Sequence, residues 1–337
     1  MTTPPPVPYY PVAPPPPSYP EPGVIPLRPL GVSDIFGGAF ATIRRNWRTM
    51  LLVPFVITLA VNAIEVPLRW LALNSSPFPT ALGPVADHAV LNWTAGQLWS
   101  MAIPVIGSAV TIVLFQGVFT VTISRAVLGR PTTFGQALRA AGPRYLPLIG
   151  LFVIVAAVLA AALAVPGGIG LGVGSMAGGI GPVLGLTFLG ILVGLGVAAY
   201  FAVTFTFATT ALILEPQPIF RALSRSRWLV RGHWWRIFGI ILLSGLIAAM
   251  VSGVVQMPIS IWQTVSILHA TFSDPAAALR TTASWPMLIA SGVVATVSAT
   301  LIMPFTAAVS VLLYHDQRIR LEGFHVPLAQ MAGAATL

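Results

Sequence analysis

Long apolar segments alternate with short polar connections along most of this 337-residue chain. Six of the segments are long enough to cross about 30 Å of hydrocarbon as an α-helix. They lie near residues 49–70, 99–124, 145–165, 182–214, 235–257 and 285–314. The pattern predicts an all-α integral membrane fold with six transmembrane helices. Because the fourth segment is over-long, we expect it to tilt or to continue into the membrane interface.

The basic residues lie beside every second connection between the apolar segments. All are arginines, and most fall in four groups: Arg28, Arg44, Arg45 and Arg48; Arg125, Arg130, Arg139 and Arg144; Arg221, Arg225, Arg227, Arg231 and Arg236; Arg318 and Arg320. The intervening connections carry only Arg69 and Arg280. Because cytoplasmic connections are enriched in basic residues, the pattern predicts a multi-pass protein of a bacterial cytoplasmic membrane with both termini inside.

The composition favours a membrane protein over soluble classes. Of all residues 56% are hydrophobic and 7% are charged, which is too few charges to cover a water-soluble protein. The net charge of +9 does not indicate nucleic-acid binding, since the arginines lie at membrane boundaries and can attract anionic phospholipids. The chain has no cysteine, and its histidines lack metal-ligand spacing. We therefore expect no metal and no other cofactor.

The chain divides into three parts by composition. Residues 1–27 contain twelve prolines and predict a disordered cytoplasmic tail, which acts either as a solvated spacer or as a docking ligand for a protein partner. Residues 28–325 form the membrane domain, and residues 326–337 form a short C-terminal tail. No cleavable signal peptide is visible, so we expect the first apolar segment to be retained as an anchor.

Three basic connections share one layout, an amphipathic segment followed by a basic and aromatic junction. In the first, Phe36, Phe40, Ile43 and Trp47 share one helical face. The layout predicts three cytoplasmic-side interfacial helices, each leading into a transmembrane hairpin. They are either three tandem repeats or three independent helices that lead the chain into the membrane. The predicted headgroup contacts are Arg44, Arg45, Trp47, Arg48, Arg144, Tyr145, Trp234, Trp235 and Arg236.

Two of these helices carry capping signals, and a few acids have candidate structural partners. Ser33 can cap the first helix with Asp34 at its positive end, and Thr133 with Gln136 has capping-box spacing. We expect Asp34 and Asp316 to pair with cytoplasmic arginines and to pin the interfacial helices to the last span.

Glu65 is an acidic residue that falls inside a predicted membrane span. Arg69 follows it by one helical turn, and Trp70 marks the interface. The pattern predicts a boundary ion pair between Glu65 and Arg69, with a substrate or proton site as the alternative.

The glycines and the polar side chains in or between the spans each allow more than one structural interpretation. The glycine run from Gly168 to Gly174 predicts a flexible or re-entrant outer loop, since a nucleotide-binding motif needs a strand before it. Gly190 and Gly194 form a GxxxG pattern that suits tight packing within the bundle or in a dimer. The polar side chains either bond to helix carbonyls or line a polar path between spans 2, 4 and 6. They are Gln116, Thr204, Thr206, Thr209, Thr210, Ser298, Thr300 and Thr306.

Two groups of residues, one at each end of the membrane domain, form a recognisable pattern. They are residues 25–30, Asp34-Ile35, residues 38–40 and 43–46, and, at the other end, residues 312–314, Asp316, residues 318–320 and Glu322-Gly323. This pattern resembles an uncharacterised family of actinobacterial multi-pass membrane proteins, which are grouped with the membrane domain associated with glycerophosphodiester phosphodiesterases. Ser33 departs from the family pattern, which often has glycine there. The resemblance implies lipid-headgroup chemistry but carries over no catalytic residue.

The sequence therefore favours a non-enzymatic membrane protein that organises or assists lipid or protein partners at the inner leaflet. No nucleophile, acid–base pair or metal cluster appears at membrane depth, so we expect no enzyme. The alternative is a small-molecule or lipid transporter with a polar path through the helix bundle. A polar cavity at mid-membrane would favour the transporter, and solidly packed spans would favour the organiser.

Overall fold

The structure, a computed structural model, describes residues 28–74, 84–128, 133–215, 217–273 and 284–323. This part of the chain is built from helices and contains no strand. Six stretches are long and apolar enough to cross a membrane: Arg48–Asn74, Ala95–Val127, Phe134–Met176, Ile180–Leu214, Trp234–Phe272 and Trp285–Glu322. The predicted all-α fold with six membrane-spanning helices is confirmed. The tails at 1–27 and 326–337 lie outside the described residues.

Ten α-helices form the described fold. They are α1 (Val32–Arg45), α2 (Val53–Asn74), α3 (Pro84–Val127), α4 (Phe134–Ala141), α5 (Tyr145–Met176), α6 (Ile180–Thr204), α7 (Ala208–Leu214), α8 (Ile219–Val230), α9 (Trp234–Ser273) and α10 (Trp285–Glu322). A π-helical turn, Arg48–Leu52, joins α1 to α2. Pro54, two residues beyond its end, has no N–H to donate to a helical carbonyl.

The long helices pack as three successive pairs, α2 with α3, α5 with α6, and α9 with α10. A short amphipathic helix precedes each pair, namely α1, α4 and α8. α10 also packs against α2, so the first and last spans are neighbours. This order matches the predicted layout. The membrane depth of the short helices and the origin of the three units as a duplication stay predictions.

The predicted outer loop at the glycine run is wrong, because α5 continues through it to Met176. α6 begins at Ile180 after a tight turn in which Gly178 and Gly179 have φ values of 74° and 86°. The glycines are helical because they let α5 and α6 approach closely. A Cβ on Gly170 would lie 2.1 Å from the carbonyl oxygen of Leu186, and no side chain could fit there.

The same contact explains the GxxxG pattern on α6. A Cβ on Gly190 would lie 2.2 Å from the carbonyl oxygen of Pro166, and one on Gly194 would lie 2.9 Å from that of Ala162. Ala162, Pro166 and Gly170 on α5 thus form a smooth stripe that receives the α6 glycines. The pattern serves packing within the bundle.

The other helix boundaries also differ from those predicted. The over-long fourth segment is divided, since α6 ends at Thr204 and α7 begins at Ala208 after a turn. α9 passes through Pro258 to Ser273, so the apolar stretch that begins at Pro258 prolongs the fifth span.

Buried side chains concentrate at the end of the bundle that carries α1, α8 and the end of α10, which we call the basic end. There α10 is buried almost continuously from Ala308 to Ile319. At the opposite end the rings of Trp70 and Trp285 stack 5.0 Å apart. Between the ends, large apolar side chains such as Phe188 face outward, as lipid-facing surfaces require.

Candidate functional site

Asp316 lies at the centre of the basic end, where three parts of the chain meet. Its fully buried carboxylate accepts a hydrogen bond of 2.7 Å from the backbone N–H of Leu30. Arg236, at the start of α9, donates to it through Nη1 at 2.6 Å, and Arg320 donates through Nε at 3.0 and 3.1 Å. Both guanidinium groups also donate to the carbonyl of Leu30, at 2.9 and 2.8 Å. The cluster ties the segment before α1 and the start of α9 to α10.

Glu215 organises a second ionic cluster beside the same helix end. Arg225 of α8 binds its carboxylate with two contacts, Nε–Oε2 at 3.0 Å and Nη2–Oε1 at 3.1 Å. The hydroxyl of Tyr314 donates to Oε1 at 2.6 Å. Arg225 also contacts Glu322, which pairs with Arg318 at 2.9 Å. This cluster fastens α8 and the end of α7 to α10.

The surroundings keep both members of the Glu215–Arg225 pair charged. Burial would raise the pKa of the Glu215 carboxyl, but hydrogen bonds from Tyr314 and Arg225 and the charges of Arg225 and Arg318 outweigh burial and lower that pKa below 4.5. Burial would lower the pKa of the Arg225 guanidinium, but Glu215 and Glu322 raise it. Proton exchange near neutral pH is therefore disfavoured, which fits a structural role better than an acid–base role.

The two predicted structural acids differ in what they join. Asp316 links Leu30 and Arg236 to the last span. Asp34 stays within its own segment, because it pairs with Arg28 at 3.1 Å and accepts the Gly31 N–H at 3.0 Å. α1 is therefore pinned to α10 through Leu30, and Asp34 caps the helix locally. The helix begins at Val32 with Gly31 at the N-cap, so the predicted capping role of Ser33 is wrong.

The capping box predicted for α4 has a counterpart in the structure. The Gln136 side chain accepts the backbone N–H of Thr133 at 3.3 Å. This contact fixes the first turn of the second short helix.

Five of the nine predicted headgroup contacts are exposed at the basic end: Arg44, Arg45, Trp47, Arg48 and Trp235. Trp47 is 51% exposed, and the Arg48 guanidinium carbon lies 5.5 Å from its ring centroid. Trp235 is 78% exposed. The structure adds Phe220, which is 75% exposed beside the exposed Arg221. Phe220 is not among the residues predicted from the sequence.

The other four predicted headgroup contacts are half-buried, and three of them have partners inside the protein. Tyr145 donates to the carbonyl of Leu114 at 3.3 Å. Trp234 stacks between the rings of Tyr200 and Phe238, at 6.2 and 5.1 Å. Arg236 belongs to the Asp316 cluster. These three side chains therefore serve packing and cross-linking more than headgroup contact.

Arg144 is the fourth half-buried candidate. It lines an open depression of about 600 Å³ together with the exposed Leu146 and Phe220. Its position leaves it available at the surface of the basic end.

Glu65 and Arg69 lie on α2 towards the opposite end and form no salt bridge within the described part of the chain. Glu65 turns towards α3, where Gly107 leaves room for it; a Cβ there would lie 2.6 Å from Oε2. The carboxylate lines a groove of about 600 Å³ whose other lining residues are apolar, among them Trp99 and Ile106. The boundary ion pair and its alternative, a substrate or proton site, both stay predictions.

Three of the predicted hydroxyls at membrane depth, those of Thr204, Thr300 and Thr306, donate to helix carbonyls, whereas the Ser298 hydroxyl is buried without a partner among the described residues. Thr204 donates to Tyr200 at 2.7 Å, and Thr300 donates to Thr296 at 2.7 Å. Gln116 shares a cavity of about 130 Å³ with apolar residues and one hydroxyl, that of Thr209. The hydroxyls of the last span do not line that cavity. This cavity therefore does not join the polar side chains of spans 2, 4 and 6.

Two further polar side chains are buried next to Asp316 and were missed by sequence reasoning. Gln317 is fully buried, and neither atom of its amide has a partner among the described residues. His315 places Nε2 3.4 Å from the hydroxyl of Ser124, while its Nδ1 is buried without a partner. The signal was present as a run of polar residues, 314–318, at the end of an apolar helix.

The fold and the basic end define a helical multi-pass membrane protein with an ionic core at one end of the bundle. A family model described as a domain of unknown function (DUF7847) matches residues 102–317, which is more than half of the chain. The chain belongs to that family. No curated protein and no solved structure matches it. The predicted resemblance to actinobacterial proteins and to the phosphodiesterase-associated domain stays a prediction.

Proposed function

We propose that this protein is a non-enzymatic organiser at the inner leaflet of a bacterial cytoplasmic membrane. In this proposal its basic end holds anionic phospholipids, or protein partners, around the bundle. The observation that carries the proposal is that exposed aromatic side chains and exposed arginines are neighbours at the basic end, Trp47 and Arg48 just after α1 and Phe220 and Arg221 on α8. Aromatic rings sit at headgroup depth, and arginines bind lipid phosphate.

The arginines of the basic end fall into two sets with different surroundings, and this difference supports the proposed lipid contact. Arg225, Arg236 and Arg320 are used inside the protein, where they hold the ionic clusters together. Arg44 and Arg221 are exposed and lie outside the described ion pairs. Structural arginines alone would not require this second, outward-facing set. Each such residue contributes roughly 1 kcal/mol of attraction near an anionic surface.

Lipid analysis of purified protein tests the proposal. The protein is extracted into polymer nanodiscs, and the anionic fraction of the co-purified phospholipids is compared with that of the whole membrane. We expect enrichment in the wild type and a reduced enrichment in Arg48→Gln/Arg221→Gln. The matched control is Arg69→Gln/Arg280→Gln, which removes the same charge from the other connections. Equal enrichment in all three proteins, or none in the wild type, would refute the proposal.

A protein partner is the second part of the proposal, and residues 1–27 are its expected contact. A proline-rich segment is preorganised for an aromatic-lined groove. Cross-linking in cells followed by mass spectrometry should give a partner with the full chain and lose it after deletion of residues 1–27. A partner retained by the shortened chain would place the contact elsewhere.

Lipid transport is the second candidate, and the Glu65 groove favours it. The groove opens between α2 and α3 towards the lipid and contains an acid without a described salt bridge. Reconstituted vesicles with fluorescent lipids test it, since a transporter would move lipid between leaflets and Glu65→Gln would slow the movement. No movement above protein-free vesicles would exclude this candidate.

A further inference from the structure

A pocket of about 500 Å³ lies at the basic end, between the end of α6, α8 and the turn from α8 to α9. Its volume lies within the range of small-molecule sites. Polar and apolar side chains line it in similar measure, in contrast to the apolar Glu65 groove. The residues that line it and carry the argument are Tyr200, Thr204, Ser224, Arg227, Trp228 and Arg231.

The pocket is positively charged. Arg227 and Arg231 are one helical turn apart, both are exposed, and neither belongs to an ion pair among the described residues. Their neighbour Arg225 is neutralised by Glu215, and no acid lines the pocket. Two guanidinium groups so placed present fork-shaped donors that match the oxygens of a phosphate.

The hydroxyls of Thr204 and Ser224 in the pocket already donate hydrogen bonds within their own helices. Thr204 donates to the carbonyl of Tyr200 at 2.7 Å, and Ser224 donates to that of Arg221 at 2.9 Å. Their protons are therefore already used, and the hydroxyl oxygens can only accept. An anion in the pocket would therefore obtain hydrogen bonds from Arg227 and Arg231 rather than from these two hydroxyls, and the indole N–H of Trp234, which has no partner among the described residues, is a further donor in the lining.

The walls of the pocket are held by contacts within the protein. Gly232 has a φ of 85°, a conformation that returns the chain so that Trp234 stacks on Tyr200 at 6.2 Å. Trp228 is fixed on the other side by the guanidinium of Arg225, 5.0 Å from its ring centroid. The pocket is thus preformed, which lowers the cost of ordering it around a ligand.

One side of the pocket continues into the lipid-facing surface of α6. Val193, Val197 and Tyr200 are spaced by four and three residues, so they share a face of α6, and all three are exposed. An acyl chain could follow this face while its headgroup reaches the arginines. A soluble phosphate compound would have no use for such a surface.

We propose that this pocket binds the phosphate headgroup of an anionic phospholipid, with an acyl chain along the Val193–Tyr200 face of α6. The inference rests on the proposed inner-leaflet function for the side of the membrane, and it adds a defined site to the diffuse attraction of the short helices. Arg227 and Arg231 bind the phosphate, and Trp228 borders the headgroup.

Native mass spectrometry of the full chain in detergent tests the site. The probes are phosphatidylglycerol and phosphatidylcholine with identical acyl chains, and glycerol 3-phosphate as the chain-free headgroup. We expect wild-type protein to prefer phosphatidylglycerol and Arg227→Gln/Arg231→Gln to bind it about tenfold more weakly. The matched control, Arg44→Gln/Arg48→Gln, removes two exposed arginines at another entry to the membrane and should weaken binding far less, because these two residues contribute only diffuse attraction. Ser224→Phe fills the pocket without changing its charge and should also lose affinity.

The remaining outcomes overturn the inference in distinguishable ways. An equal loss in both arginine double variants, with Ser224→Phe unchanged, would show diffuse attraction, which overturns the pocket but leaves the proposed function in place. No preference for phosphatidylglycerol in the wild type would overturn both. Glycerol 3-phosphate binding as tightly as the lipid would overturn the lipid as occupant, because the α6 face would then add nothing.

Discussion

The carboxylate of Asp316 accepts the backbone N–H of Leu30 at 2.7 Å, across 286 residues of chain. This bond joins the segment before the first span to the end of the last span. Arg236 and Arg320 complete the arrangement, because each donates to both the Asp316 carboxylate and the Leu30 carbonyl. The result is a closed ring of charge-assisted hydrogen bonds around a fully buried acid.

Asp316→Asn should destabilise the protein strongly, because it leaves Arg236 and Arg320 without their shared counter-charge in a buried site. Breaking a buried ion pair from one side costs about 3–5 kcal/mol. The thermal unfolding temperature in detergent measures the loss. The control is Asp34→Asn, whose partner Arg28 is 44% exposed, and a surface pair of this kind is worth about 1 kcal/mol at most. Similar losses in both variants would contradict a special role for Asp316.

The α5–α6 contact predicts opposite effects for glycines that are neighbours in sequence. Gly170→Ala and Gly190→Ala place a Cβ 2.1 and 2.2 Å from backbone oxygens, so the helices must separate. We expect each to cost about 1–3 kcal/mol or more. Gly168→Ala and Gly172→Ala meet nothing within 4 Å and should gain up to about 1 kcal/mol through helix propensity. Thermal unfolding of the four variants checks this, and equal effects would mean that the contact is not tight.

The sequence predicts the six spans correctly but not the conformation of the glycine run. The six spans could be predicted, because apolar length is a direct requirement of the bilayer. The run between the third and fourth spans predicts a loop, but close helix packing in a membrane overrides the low helix propensity of glycine. The informative signal is spacing: Ala162, Pro166, Gly170 and Gly174 are each four residues apart, and they match the spacing of Gly190 and Gly194, whose GxxxG pattern already indicates tight packing.

The ionic core could be predicted only in part. Asp316 was expected to pair with arginines, since a buried acid at a span end needs a partner. Its bond to Leu30 carries no sequence signal, because a backbone N–H looks the same at every position. The partners of Glu215 were equally hidden, since Arg225 comes from a neighbouring helix and Tyr314 from a distant one. Such pairings depend on how the helices pack, which periodicity does not report.

The lowered pKa of Glu215 predicts how stability depends on acidity. Because the folded-state pKa lies below the ordinary 4.5, the charged carboxylate stabilises the fold above pH 4.5, and this contribution is lost as the pH falls through the folded value. Unfolding temperatures should therefore fall as the pH is lowered below 4.5, and the fall should be shallower in Glu215→Gln.

Tyr314→Phe gives the matched test of the same site. It removes the 2.6 Å hydrogen bond that lowers the Glu215 pKa, so that pKa should rise towards 4.5, and the acid-induced loss of stability should be smaller than in the wild type and complete at a higher pH. Parallel curves for wild type, Glu215→Gln and Tyr314→Phe would show that the pair does not contribute to acid sensitivity.

Replacing Gln317 with an apolar residue should stabilise the protein. It is fully buried, and both polar atoms of its amide lack partners among the described residues. A buried polar group without a partner costs about 1–3 kcal/mol, so Gln317→Met, which keeps the length of the side chain, should raise the unfolding temperature. Asn62→Leu is the control, because the Asn62 amide donates to Thr58 at 3.0 Å and to Thr296 at 3.1 Å. It should lower the unfolding temperature. A clear loss of stability in Gln317→Met would instead show that the amide is satisfied in the membrane, by water or by a lipid headgroup that reaches the core of the basic end.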